Sequence, residues 1–460
     1  MSITQKRGKG DVDMTDGSIV RHLIKFAIPL LIGNLFQLLY NMVDTWVVGQ
    51  FVSNEAFAAV GTLGHVTNLM IGFFIGLSSG AGVVISQFFG SVKLDDVRRT
   101  VGTSVFLTAV LGVAFTVLGL CLIPVFILIL DMPAEVIPEA RTYLILWFSG
   151  IIGPMVFNMG ASVLRAVGDS KKPFYFLLVS AIANTLLDLL FVLVFGWGVA
   201  GVAGVAIATV VAQLLSAALV VITLIRTDSA VAIRRETLTF SKEILKKILR
   251  VGMPAAIQMA ITSFSNIFVQ SYINFFGTEA MGGWTAYTKI DQIILLPMQS
   301  LGLASTTFVG QNLGKGQIKR AERGANTALI MSFISTAILI IPVMIFASPL
   351  VTFFNADPLV IEYGSLFLHW LTPFYIVWCV NQIYAGALRG AGNSAAPMVI
   401  MLSSFVAFRQ IYLFVMANFI SNTVLPIVMA FPCGWILAAV ATYIYYRIVG
   451  LKKGSLVKVN

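Results

Sequence analysis

The chain has 460 residues, 58% of them hydrophobic and 11% charged, with a mean hydropathy of +0.92. Soluble domains carry roughly 25% charged residues, so a soluble fold is excluded, because it could not bury this much apolar surface whereas lipid solvates it. The net charge of +10 does not indicate nucleic acid either, since Lys and Arg lie in short clusters between apolar runs instead of forming the basic face of a soluble module.

Residues 1–19, MSITQKRGKGDVDMTDGSI, are polar and lack both the apolar core and the small-residue cleavage site of a signal peptide. The first apolar run is therefore expected to act as an uncleaved signal. A membrane span needs about 20 apolar residues, and reading the runs in order gives twelve. They cover residues 21–47, 56–88, 99–125, 138–164, 173–195, 199–225, 247–275, 280–310, 322–347, 361–388, 397–419 and 424–448. Several exceed 25 residues, which predicts tilt or projection into the cytosol. Cys121, Cys379 and Cys433 all fall inside apolar runs, an odd count with neither disulfide nor metal spacing.

Orientation follows from the basic residues. With the N-terminus cytoplasmic, 27 of the 30 Lys and Arg lie in cytoplasmic connections and tails, leaving Arg141 outside and Lys289 and Arg409 within spans. That bias is the positive-inside rule, and one miscounted span would scramble it. The reading is a multi-pass protein of the plasma or inner membrane with both termini cytoplasmic.

The halves repeat at an offset of 224–225 residues. Pro29 and Pro254 open spans 1 and 7, SQFFG (86–90) and GQNLG (310–314) end spans 2 and 8, and LRAVGD (164–169) and LRGAGN (388–393) end spans 4 and 10. Pro173 and Pro397 follow the last pair. Six spans per repeat is an even number, so both halves insert in the same orientation and their pseudo-two-fold axis runs along the membrane normal. The expected fold is an all-α integral membrane protein of twelve transmembrane helices in two six-helix lobes. Residues 1–225 form the first lobe, 226–247 a cytoplasmic linker and 248–460 the second lobe, with a substrate path between lobes. GQNLGKG (310–316) resembles a phosphate-binding loop but has the wrong spacing, and Gly316 follows the lysine. With no ATP site and no motif of a membrane enzyme, energy is expected from an ion or substrate gradient.

Only Asp44, Asp188 and Asp291 among the acids lie away from the ends of predicted spans. An intramembrane charge costs roughly 2.5–3.5 kcal/mol even on the insertion scale, so each is a functional candidate. Gln37, Asn41 and Asp44 follow i, i+4, i+7 on one face of span 1, and Asn184 and Asp188 follow i, i+4 in span 5. Asn158 in span 4 and Thr209 in span 6 can extend the set. Burial favours the neutral form of a carboxylate and a second carboxylate adds to the effect, so such a pair can hold a proton. With Asn and Thr oxygens alongside it can instead coordinate Na⁺ through Asp44, Asn184 and Asp188. The alternative is that these acids satisfy hydrogen bonds between helices. At the repeat offset Asp44 meets Val269 or Phe268 and Asp188 meets Tyr412, so the second half lacks the pair. It carries Lys289, Asp291 and Arg409, where an ion pair between Asp291 and Arg409 and a role in the substrate cavity both stay open. His65 and His369 read as packing residues, and the glycines of IGFFIGLSSGAG (71–82) as sites of close packing. Some of the many aromatics are expected to line an adaptable cavity for flat organic cations.

Over residues 18–450 the chain resembles the multidrug and toxic compound extrusion transporters. The resemblance rests on NMVDTWVVGQ after Pro29, SQFFG, LRAVGDSKKP, NTLLDLLFVLVFGWGVAGVAGVAIATVVAQ, TTFVGQNLG and LRGAGN. It implies two six-helix lobes in a V, exporting organic and often cationic compounds in exchange for H⁺ or Na⁺. It also implies that the coupling cation binds in the first lobe through Asp44, Asn184 and Asp188, with Asn158, Thr209 and Gln37 at related family positions. Acids in spans 7 and 10 mark another branch and are absent here, so the chain resembles the DinF-like branch. No cofactor is expected beyond the coupling ion, and the expected partners are the bilayer and a small organic substrate, with the protein a monomer. The alternative function is flipping a lipid-linked precursor, as in a distant superfamily relative, for which Lys289 and Arg409 would be the cationic residues available to a pyrophosphate.

Overall fold

The computed structural model describes residues 10–52, 54–130, 132–194, 202–452 and 456. Residues 195–201 of the long motif, the basic residues Lys6, Arg7, Lys9, Lys453 and Lys458, and the side chain of His65 lie outside that description. Every regular element among the described residues is helical. The chain divides into two compact units, Met1–Asp13 with Pro29–Gly252, and Met14–Ile28 with Met253–Asn460.

The first unit holds most of α1 (Ile19–Phe51), then α2 (Asn54–Gly90), α3 (Leu94–Ile129), α4 (Ile137–Ser149), α5 (Ile152–Ala166), α6 (Lys171–Leu189) and α7 (Ala203–Arg226). The fourth predicted span is bent by 44° between α4 and α5, beside Gly150 and just before Pro154. The fifth does not end as an α-helix. After Leu189 it widens into a π-helical turn, Leu190–Val194.

The second unit holds most of α8 (Lys242–Asn274), then α9 (Thr278–Gly314), α10 (Ile318–Ile345), the short α11 (Ala347–Thr352), α12 (Pro358–Leu371) and α13 (Tyr375–Gly390). It closes with α14 (Ala395–Met401), α15 (Arg409–Val415), α16 (Val424–Val428) and α17 (Ala430–Val449). The π-helical turns Leu402–Phe408 and Met416–Ile420 flank α15.

Nine helices among the described residues are long and apolar enough to cross a membrane singly, and α4 with α5 adds a tenth. The other two expected spans fall on α8, and on α12 with α13. The first of these begins with the charged run KEILKKILR and the second is interrupted by a 3₁₀ turn at Thr372–Phe374. Pro373 has no N–H to continue the ladder. Each of the twelve predicted spans thus corresponds to a helix or an interrupted helix.

The duplicated motifs build the same turns. Gly168 (φ +85) and Gly392 (φ +89) occupy the left-handed position after α5 and α13, where a side chain is disfavoured. Asp169 N then donates to Leu164 O at 3.1 Å, and Asn393 N to Leu388 O at 2.9 Å. The pair after α2 and α9 is less even: Gly316 has φ 78, while its counterpart Val92 has φ 58 as the one non-glycine residue with positive φ among those described. Glycines also set the spacing between helices. A Cβ at Gly386 of α13 would lie 2.5 Å from Gly302 O of α9, and one at Gly153 of α5 would lie 3.2 Å from the backbone of Gln213 in α7. In the 71–82 stretch, Gly80 abuts the backbone of Ile248 and Gly252, and Gly82 abuts Ser162. Close packing is what those glycines provide.

Candidate functional site

In the first unit the site forms where α1 and α6 meet. Gly33 of α1 faces Phe174 and Leu177 of α6 at van der Waals distance. Ser180 Oγ of α6 donates to Ala212 O of α7 at 2.7 Å, which ties the fifth span to the sixth. Further along, Asn184 and Asp188 project inward, with relative exposures of 1% and 0%. The carboxyl groups of Asp44 and Asp188 interact directly. Among the described residues, Asp44 Oδ1, both carboxylate oxygens of Asp188 and both amide atoms of Asn184 are buried without a hydrogen-bond partner. Ionised carboxylates only accept hydrogen bonds, so two of them in contact with no donor repel one another. A shared proton or a bound cation would resolve that conflict. The π-helical turn starting at Leu190 comes directly after this site, a location where such turns often occur.

The other candidates are more loosely placed. Asn158 Nδ2 donates to Pro154 O at 2.8 Å and Thr209 Oγ to Val205 O at 3.0 Å, so each spends a donor on its own helix. Their oxygens can still accept or coordinate, and α5 and α6 both pack on α7. Neither bonds to Asp44 or Asp188. Gln37 hydrogen-bonds Tyr40 and Asn41 is exposed. Two tyrosines missed by sequence reasoning border the acids: Tyr40 and Tyr143 both lie within electrostatic reach of Asp44. Tyr40 was findable, being one turn before Asp44 on the same face, whereas Tyr143 of α4 carries no pattern that links it to α1. No group of three or more His, Cys, Asp and Glu side chains converges among the described residues. Two carboxylates with amide and hydroxyl oxygens nearby suit a hard cation rather than a soft transition metal.

The second unit shows what the same architecture does without the acids. The π-helical turn Leu402–Phe408 takes up one extra residue, which moves the counterpart of Asp188 from the expected Tyr412 to Leu413. In keeping with this shift, Arg409 and Leu413 are buried as Asn184 and Asp188 are, while Phe408 and Tyr412 are not. Val269, the counterpart of Asp44, shares a buried apolar cluster with Leu413, Ile427 and Ala430. The contact between two carboxyls is replaced by a contact between two aliphatics.

Arg409 takes the place of Asn184. Its Nη2 donates to Ser265 Oγ at 2.7 Å and to Asn266 Oδ1 at 2.9 Å, and its guanidinium lies 4.9 Å from the centroid of the Phe431 ring. Asp291 accepts from the Tyr375 hydroxyl, which also meets Tyr287 Oη at 2.8 Å. The ion pair between Asp291 and Arg409 is therefore not formed; each is held by neutral groups. Lys289 has no carboxylate within ion-pair distance among the described residues, so these three charges form no common cluster. His369 Nδ1 donates to Ser365 O at 2.7 Å, a local bond within α12.

The model of the MatE family matches residues 29–190 and 254–415, one match in each half. The chain is 27% identical over 458 residues to "Probable multidrug resistance protein YoeA" of Bacillus subtilis, covering 98% of this chain and 97% of that protein. It is 26% identical over 428 residues to an FAD transporter of Shewanella oneidensis, covering 92% and 94%. A MOP superfamily transporter from Pyrococcus furiosus shares the fold at a TM-score of 0.91 and 22% identity, covering 98% of this chain and all of that one.

Proposed function

Because the chain belongs to the MatE family, we propose that it is a secondary antiporter that exports organic compounds across the plasma membrane in exchange for H⁺ or Na⁺. In this reading both termini lie in the cytosol, on the side where the basic residues concentrate. The observation that carries the coupling is the contact between Asp44 and Asp188, whose Oδ1 and whole carboxyl respectively are buried without a donor among the described residues. A cation entering from outside neutralises the pair, with Asn184 and then Asn158 or Thr209 supplying oxygens if that cation is Na⁺. Losing the cation restores the repulsion, and α1 moves relative to α6 to relieve it. One site thereby alternates between two cation-dependent arrangements, as gradient coupling requires. Multidrug resistance proteins and an FAD transporter among the relatives support a small organic cargo that is not restricted to cations.

The test uses inverted vesicles, a fluorescent organic cation, and separately imposed proton and sodium gradients. Wild type is expected to accumulate the dye under one gradient, and Asp44→Asn to lose that accumulation while remaining folded and inserted. Full coupling in Asp44→Asn overturns the assignment. A wild-type response to neither gradient shifts the reading to lipid-precursor flipping.

A further inference from the structure

We propose that the second unit carries a binding site for an anionic phospholipid of the cytoplasmic leaflet, at the ends of α1, α10 and α17. A groove of about 760 Å³ lies there, lined by Ile19, the Gly316–Ile318 turn, Lys319, Arg320, Arg323 and Lys452, with Glu322 as its one acid. Ile19 and Ile318 are the first residues of their spans and Lys452 comes just after the end of the last. Three span ends therefore meet where headgroups lie.

The cations differ in what they do. Arg320 is already engaged: its Nη2 donates to Gly17 O at 2.9 Å and to Met14 O at 3.3 Å, and its guanidinium lies 5.5 Å from the Phe308 ring centroid. Lys315, just outside the groove, pairs with Asp16 at 3.1 Å. Lys319, Arg323 and Lys452 are exposed and make no ion pair among the described residues. The N-terminus of α10 opens into the same groove, and its N-cap, Gln317, makes no side-chain cap hydrogen bond. Ile318 N and Arg320 N are already bonded within the turn, so it is the three uncommitted cations that favour a phosphate.

Apolar tracks leading out of the groove distinguish a lipid from a free phosphate. On α1, Val20, Ile24 and Ile28 are exposed at i, i+4, i+8. On α10, Ile330 and Ile334 are exposed on the face that carries Arg323. A headgroup seated among the cations places its acyl chains along these tracks. Basic pockets at the cytoplasmic ends of spans bind anionic headgroups in this way.

Topology alone would also place lysines and arginines on this side, so the test needs a charge-matched control. Purified protein is reconstituted in nanodiscs of phosphatidylcholine or of phosphatidylcholine with phosphatidylglycerol, and retained lipids are counted by native mass spectrometry. Wild type is expected to retain phosphatidylglycerol through activation and to melt at a higher temperature when it is present. The variant K319Q/R323Q/K452Q should lose at least ten-fold of that retention and all of the shift, with its melting in pure phosphatidylcholine unchanged. The control K93Q/R98Q/R99Q, with the same charge removed in the first unit, should behave as wild type. Equal retention in both variants, equal loss in both, or equal stabilisation by inorganic phosphate would overturn the site. If the first variant misfolds, single substitutions at Lys319 and Lys452 replace it.

Discussion

Replacing Asp188 by Asn isolates the repulsion that defines the site. The side chain is fully buried and its carboxyl meets that of Asp44. At a separation of about 4 Å and an effective dielectric of about 20, two such charges repel by about 4 kcal/mol. A cation placed between them gains a comparable amount from the second carboxylate, so its removal is expected to weaken cation binding by about three orders of magnitude. Shape is nearly unchanged in Asp188→Asn, and melting in detergent should stay within a few degrees of wild type. The assay is cation release from purified protein in weakly buffered detergent when the organic substrate is added. A pH indicator reads protons, and a sodium-sensitive dye reads Na⁺ in a parallel sample. Wild type should release one cation per chain, and Asp188→Asn less than a tenth of that. Undiminished release from the variant refutes the idea that the pair holds the coupling cation.

Tyr143→Phe keeps the ring but removes a hydroxyl near both acids; it should weaken cation release by less than ten-fold with an unchanged melting temperature. Gly386→Ala would press a methyl group against Gly302 O and strain the bond from Thr306 Oγ to Gly386 O, now 2.9 Å. It should destabilise the second unit by about 1–3 kcal/mol, read as a lower melting temperature, while Gly61→Ala, which meets nothing within 4 Å, leaves it equal or higher. Arg409→Lys removes the Nη2 group that donates to both Ser265 and Asn266, and should cost about 1–2 kcal/mol in a denaturant or thermal titration.

The number and order of the spans were legible because lipid solvation imposes a composition rule on every crossing. The duplicated LRAVGD and LRGAGN motifs likewise announced two equivalent turns, since only glycine sits easily at the positions of Gly168 and Gly392. Interruptions within spans were not legible. Nothing in LSSFVAF marks a π-helical turn, and that turn is why the counterpart of Asp188 is Leu413 rather than Tyr412. Which polar residues pair depends on packing that charge alone does not encode. Asp291 and Arg409 have opposite charges, yet each found a nearer neutral partner, Tyr375 for one and Ser265 with Asn266 for the other. Asp44 and Asp188 were singled out because their burial in lipid is unfavourable wherever they point. Their direct contact, and the presence of Tyr143, required the packing of α1, α4 and α6.

The comparison between units separates what the fold needs from what the site needs. The second unit builds the same helix contact with Val269 and Leu413 packed in an apolar cluster, so the architecture does not require acids at either position. The first unit instead buries the Asp188 carboxyl and one oxygen of Asp44 without a donor among the described residues. Replacing even a buried ion pair by well-packed hydrophobic residues is often neutral or stabilising by about 1–4 kcal/mol, and two like charges have no mutual attraction to lose. The double substitution Asp44→Val with Asp188→Leu transplants the second unit's solution into the first. Its expected melting temperature is equal to or above that of wild type, and insensitive to Na⁺ and pH. Gradient-driven export should be abolished in the same protein. A double variant that fails to fold would show that the acids do structural work in the first unit, and one that still couples export to a gradient would place the coupling site elsewhere.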